Sequence, residues 1–128
     1  MTIKTLSSAL LLAALLWATP VHGDEDISIT EMIVERAAVH GVSASSMLRL
    51  ADCESNRKPL AVGREGEVGL FQLAPFGLLP LFYQQGHTNP WSAYQQSDFT
   101  AWAISSGLGR HWSCWWTEVM GRRPPWWS

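Results

Sequence analysis

From Ala44 to Glu54 the chain carries its clearest helical period, and the last member of the series is an acid. Met47, Leu50 and Ala51 are spaced i, i+3, i+4, so they share one face, and the next position on that face, i+7, is Glu54. A helix of this kind is stable only when its stripe is covered by other elements, which points the chain towards a packed helical core. The same spacing turns a carboxyl group inward. Burial disfavours the charged form, so without a cationic partner the pKa of Glu54 rises and the group holds a proton near neutral pH. A carboxyl in that state is suited to general acid catalysis. The alternative is a Glu54 at a fraying helix end, solvated or paired with Arg57 or Lys58, as most glutamates are.

The elements around this stretch are readable from caps and breakers. Ser28-Ile29-Thr30-Glu31 has the form of a capping box, and Met32, Ile33, Ala37 and His40 follow at helical spacing, which predicts a first helix over Ile29 to His40 ended by Gly41 as a left-handed cap. Ser43 or Ser45 then caps a second helix, Ala44 to about Glu54, and the two form a helical hairpin. Residues 56–68 contain Pro59, Gly63 and Gly66 among several charges, a composition suited to a loop or a small irregular hairpin. A helical stretch from Phe76 to Gln85 is expected to be broken by Pro80, and Asn89-Pro90-Trp91 reads as a turn. Ser97 is expected to cap a last helix, Asp98 to about Ser106, with Phe99, Trp102 and Ala103 on one face.

Within this frame, Glu54-Ser55, a short loop with Pro59, and Gly69-Leu70-Phe71-Gln72 stand in order and at matching spacing. These residues resemble the paired motifs of the lysozyme-like lytic transglycosylase domains, of the soluble lytic transglycosylase type. The resemblance extends over about residues 28 to 116, and its specific part is Glu54 to Pro75. It implies a mainly α fold, α+β in the lysozyme-like sense, with a short irregular hairpin or loop at the cleft. It implies cleavage of peptidoglycan glycan strands, with Glu54 as the single acid/base and with Ser55, Gly69 and Gln72 lining the cleft on the substrate side. Glycine at 69 lets backbone approach a ligand closely, and the Gln72 amide both donates and accepts hydrogen bonds. One departure is clear. Relatives often carry an A-x-x-Y-N-x-G motif on the later helix, whereas Ala101-Trp102-Ala103-Ile104-Ser105-Ser106-Gly107 has neither Tyr nor Asn, leaving Tyr83 and Tyr94 as substitutes. Glu65 and Glu67 are the candidates for a second carboxylate, as two-carboxylate glycosidases require; the alternative is a pair of solvated loop charges beside Arg64.

Composition narrows the partners and the compartment. Residues 1–23 hold Lys4 as their only charge, then an apolar run over Leu6 to Ala18 and small residues before Asp24, the pattern of a secretory signal peptide rather than of a membrane span. Residues 24–120 then form one domain, followed by a tail over 121–128. The whole chain has 9 Lys+Arg and 11 Asp+Glu, and with Lys4 removed the remainder carries a net charge of −3, which argues against nucleic acid as a partner. Seven of the eight tryptophans lie beyond the leader, enough for a binding cleft as well as a core, with Trp102 and Trp112 read as core. Cys53 and Cys114 are the only cysteines, and in an exported chain they are expected to pair and to tie the end of the second helix to the C-terminal segment. The four histidines are scattered, so metal binding is disfavoured, and no cofactor is implied. The tail, Gly121-Arg122-Arg123-Pro124-Pro125-Trp126-Trp127-Ser128, is unsuited to a helix; it is either a mobile end or a contact for wall polymer or membrane surface. The expectation is a secreted or periplasmic monomer, with a hydrolytic lysozyme and a non-catalytic wall-binding protein as the rival readings.

Overall fold

A computed structural model describes residues 27–127. The expected leader, residues 1–23, lies outside them. The order is α1 (Ile29–Val39), α2 (Ala44–Ser55), a long irregular segment, α3 (Leu78–Gln84), α4 (Ala93–Ser105), a 3₁₀ turn (Gly109–His111) and a single π turn (Trp115–Val119). The domain is mainly helical, and among the described residues no strand forms. No helix among them is long and apolar enough to cross a membrane.

The hairpin of α1 and α2 forms as its caps dictate. Ser28 Oγ accepts the Glu31 amide at 3.1 Å. At the other end the Val42 amide reaches back to the Ala37 carbonyl at 2.9 Å, which places Gly41 at φ +69°, a backbone conformation that glycine adopts without steric cost. Ser43, rather than Ser45, caps α2 through the Ser46 amide. The buried faces of both helices, Ile33 and Ala37 on α1 and Met47, Leu50 and Ala51 on α2, meet Leu70, Phe71, Leu73, Phe82, Phe99 and Trp112 in one core. The helical stripe read from the sequence is therefore the surface on which the rest of the chain closes.

Two boundaries differ from the sequence reading. Pro80 does not break a helix; α3 begins at Leu78, so the proline sits in the first turn, where its missing N–H costs nothing. The cap of α4 is Ser92, not Ser97: Ser92 Oγ accepts the Gln95 amide at 3.1 Å, and the helix begins at Ala93. Ser97 lies fully buried on the inner face of α4 between Gln96 and Thr100. The sequence carried the signal, because Ser92-Ala93-Tyr94-Gln95 is itself a capping box placed just after Pro90.

Between α2 and α3 the chain makes a compact irregular hairpin. Isolated antiparallel bridges join Val62 to Val68 and Val68 to Leu73, and the Gly63 amide meets the Glu67 carbonyl at 2.8 Å. Gln96 holds this segment against α4. Its Nε2 donates to the Val68 and Pro90 carbonyls at 2.7 and 2.8 Å, and its Oε1 accepts the Phe71 amide at 2.7 Å. From below, Trp112 Nε1 donates to the Phe71 carbonyl at 2.8 Å.

A disulfide joins Cys53 to Cys114, 61 residues apart, and fixes the end of α2 to the start of the π turn. Beyond it the tail is seated on the domain. Pro124 is buried, the Arg122 amide donates to the Trp116 carbonyl at 2.9 Å, and the Trp126 ring meets Trp116 edge-on with centroids 6.1 Å apart. Residues 121–127 thus lie against the domain through a buried proline and an aromatic contact.

Candidate functional site

The end of α2 delivers Glu54 into a cleft of about 260 Å³ formed with Glu67, Gln72, Ala74, His111, Trp112 and Ser113. Three separate parts of the chain build it: the last turn of α2, the irregular hairpin, and the segment leading into the disulfide. A different opening of about 340 Å³, lined by Arg49, Asp52, Cys53 and Glu118, lies beside the disulfide and does not include Glu54. The chemistry selects the smaller cleft.

Burial pushes the Glu54 carboxyl up to about 7. A hydrogen bond from the Cys114 backbone pulls in the opposite direction, and the negative charge of Glu67 adds to the rise. The pairing with Arg57 or Lys58 weighed from the sequence does not occur through Arg57: its guanidinium contacts Asp52 at 2.6 Å and Thr30 at 2.8 Å. Glu54 thus has the ingredients of a neutral-pH proton donor, namely partial desolvation, an acidic neighbour and an open side from which a ligand can enter.

The other residues singled out in the sequence divide into two groups. Gln72 lines the cleft beside Glu54. Its backbone has φ +52°, unusual for a residue with a side chain, and is held by Nε2 donating to the Gly69 and Ala61 carbonyls at 2.9 and 3.1 Å. Backbone in this region costs of order 1–3 kcal/mol and is found where surrounding structure imposes it, commonly at functional sites. Ser55 and Gly69 are placed differently. Ser55 is buried, donates to the Leu70 carbonyl at 2.7 Å and accepts the Lys58 amide at 3.1 Å, so it ties the helix end to the hairpin. Gly69, at φ +83°, is also buried, and a Cβ there would collide with Gln96 Nε2. The close approach that this glycine permits is that of Gln96 rather than of open cleft space.

Glu65 and Glu67 separate as well. Glu67 lines the cleft and its Oε2 accepts the Glu65 amide at 3.3 Å, whereas Glu65 is exposed and does not line the cleft around Glu54. Gly63 leaves room for this arrangement, because a Cβ there would strike the Glu67 carboxylate and stand 2.6 Å from Gln72 Oε1. Tyr83 and Tyr94 are about half exposed and line no part of the cleft; Tyr94 carries the Arg36 guanidinium 4.8 Å above its ring. What α4 does supply is Gln96, which braces the hairpin segment and which sequence reasoning missed. Its signal in the sequence is faint, a glutamine in the first turn of a helix that starts at Ala93 rather than at Asp98. His111 and Ser113 were also missed, since only the disulfide and the 3₁₀ turn bring them opposite Glu54.

Among the described residues no group of three His, Cys, Asp or Glu side chains is arranged to hold a metal ion. Comparison with known proteins gives no match to a family model, to a curated protein or to a solved structure.

Proposed function

We propose that the protein is an exported enzyme that cleaves peptidoglycan glycan strands as a lytic transglycosylase, acting at the β-1,4 bond between N-acetylmuramic acid and N-acetylglucosamine. The observation that carries the proposal is Glu54, a carboxyl raised to about 7 in a cleft that also presents Gln72. The spacing of Glu54-Ser55 and Gly69-Leu70-Phe71-Gln72, which resembles the transglycosylase motifs, supplies the substrate class. The Cys53–Cys114 bond is compatible with a secreted or periplasmic location.

The chemistry needs one group in two states. Protonated Glu54 gives its proton to the glycosidic oxygen as the bond to C1 breaks, and an oxocarbenium-like centre develops at C1. The resulting carboxylate then takes the proton of the muramoyl C6 hydroxyl, whose oxygen bonds to C1 and leaves a 1,6-anhydro end. Glu54 is returned protonated, so no water is consumed. Burial, and to a smaller extent the nearby Glu67 charge, disfavours ionised Glu54 and so leaves a large share of the resting group in the acid form near neutral pH.

Glu67 also supports a second reading. A carboxylate on the same cleft can activate water, in which case the protein is a hydrolytic lysozyme with Glu54 as acid and Glu67 as base. Zymography against purified peptidoglycan tests both, and mass spectrometry of the products separates them, because the anhydro product is lighter than the hydrolytic one by one water. Intact peptidoglycan after prolonged incubation with folded protein would leave only a non-catalytic wall-binding role.

A further inference from the structure

Another opening lies past Glu67. A hollow of about 480 Å³, lined by Glu65, Glu67, Ala74, Pro75, Phe76 and Gly77, shares Glu67 and Ala74 with the Glu54 cleft, so the two openings adjoin. Its volume is in the range of small-molecule sites. At its edge the Phe76 ring stands fully in solvent, 103 % exposed, more than any other large apolar side chain described. The ring is not on a loose loop: the Gly77 and Leu79 amides both donate to the Ala74 carbonyl at 3.0 Å, fixing the turn that carries it into α3.

A lone exposed apolar residue needs no explanation. This one stands beside two carboxylates in a hollow that adjoins the cleft of a candidate acid. A flat apolar face flanked by acceptor oxygens complements a pyranose ring, which offers C–H bonds on one face and hydroxyl and acetamido N–H donors at its rim. The carboxylates of Glu65 and Glu67 accept from such donors and repel anionic groups, which selects a ring without a free acid. An apolar peptide side chain would cover Phe76 and leave those carboxylates desolvated without partners. We propose that Phe76, with Glu65 and Glu67, forms a stacking subsite for a neutral N-acetylhexosamine ring, so that the protein recognises a glycan longer than the disaccharide it cleaves. The identity of the ring as a wall sugar rests on the functional reading above.

The test uses the full exported protein carrying Glu54→Gln, to prevent turnover, and calorimetric titration with neutral N-acetylglucosamine oligomers of increasing length. Affinity is expected to rise with length until the Phe76 subsite is filled. Phe76→Ala should remove that last gain, about tenfold in Kd for partial burial of a phenylalanine, and leave the affinity for the disaccharide unchanged. Phe76→Trp should restore it. Because the ring packs on nothing in the core, melting curves of the variants are expected to overlay that of the parent. Equal affinities for Phe76→Ala and parent at every length overturn the proposal. If the protein with Glu54 intact leaves peptidoglycan uncut while the length dependence holds, the catalytic reading fails and the subsite stands; if it cuts and Phe76→Ala changes nothing, the reverse is true.

Discussion

The acid role proposed for Glu54 carries a cost to the fold above neutral pH. An acid whose folded pKa is raised binds its proton more tightly when folded, so the folded state loses stability as pH rises from the ordinary value of 4.5 through about 7. Replacement by glutamine keeps the shape and removes the ionisation. Glu54→Gln is therefore expected to melt higher than the parent at pH 8, by about 1–3 kcal/mol in stability after allowance for partial solvation, and to match it near pH 4. The same variant should lose about 10² to 10⁴ in wall-cleaving rate, and activity within tenfold of the parent would remove Glu54 from the mechanism. In the parent, kcat/KM should fall as pH rises through about 7, because the reaction starts from the protonated form. Glu67 decides the acidic side of that profile. A Glu65→Gln, Glu67→Gln double variant that is folded yet slower by more than about a hundredfold, roughly 2.7 kcal/mol, would replace the single-glutamate mechanism with a two-carboxylate one.

At the scale of elements, α4 holds the cleft from behind, and its polar residues do different work from that suggested by their positions in sequence. Gln96 satisfies the Phe71 amide and the Val68 carbonyl of the hairpin segment and the Pro90 carbonyl of the turn before α4. Gln96→Ala strands those groups and should cost about 3 kcal/mol, measured by denaturant titration, with a loss of activity as the Val68–Phe71 stretch next to Gln72 loosens. The cap assignment has an equally direct check. Ser92→Ala should cost about 1 kcal/mol as a lost N-cap, whereas Ser97→Ala should be neutral or stabilising, because Ser97 Oγ is buried with no hydrogen-bond partner. Asp98 joins α4 to α1. Burial would raise its carboxyl, but hydrogen bonds from His40 at 2.9 Å and Arg36 at 3.1 Å, with their charges, hold it below its ordinary value. His87 also faces it, at 3.6 Å. A lowered carboxyl contributes stability that is present above the unfolded value of about 4 and is lost as pH falls through the folded one. Asp98→Asn should therefore flatten the acid limb of the stability curve below about pH 4.

At the scale of the whole molecule, the disulfide decides whether the cleft has a far wall. Cys53–Cys114 closes a loop of 61 residues and brings Trp112 and Ser113 opposite Glu54; its reduction should lower stability by about 2–5 kcal/mol and activity with it, seen as a lower Tm with reductant than without. The helical hairpin and the cysteine pair were legible in the sequence, and an inward Glu54 and an irregular hairpin were each one of two readings it offered, because all four rest on short-range rules: a 3.6-residue period, a cap three residues from its partner, a count of two, a cluster of glycine and proline. The same rules mark Ser92, which has Gln95 three residues on as a capping box requires, whereas Ser97 lacks that partner and has its hydroxyl turned into the core. Tertiary structure alone decided what Ser55, Gly69 and Gln96 do and which of Glu65 and Glu67 faces the cleft. Those outcomes depend on contacts between residues 15 to 28 positions apart, where no local periodicity operates and the meeting of two surfaces fixes which polar group is buried, which is satisfied and which is left facing a ligand.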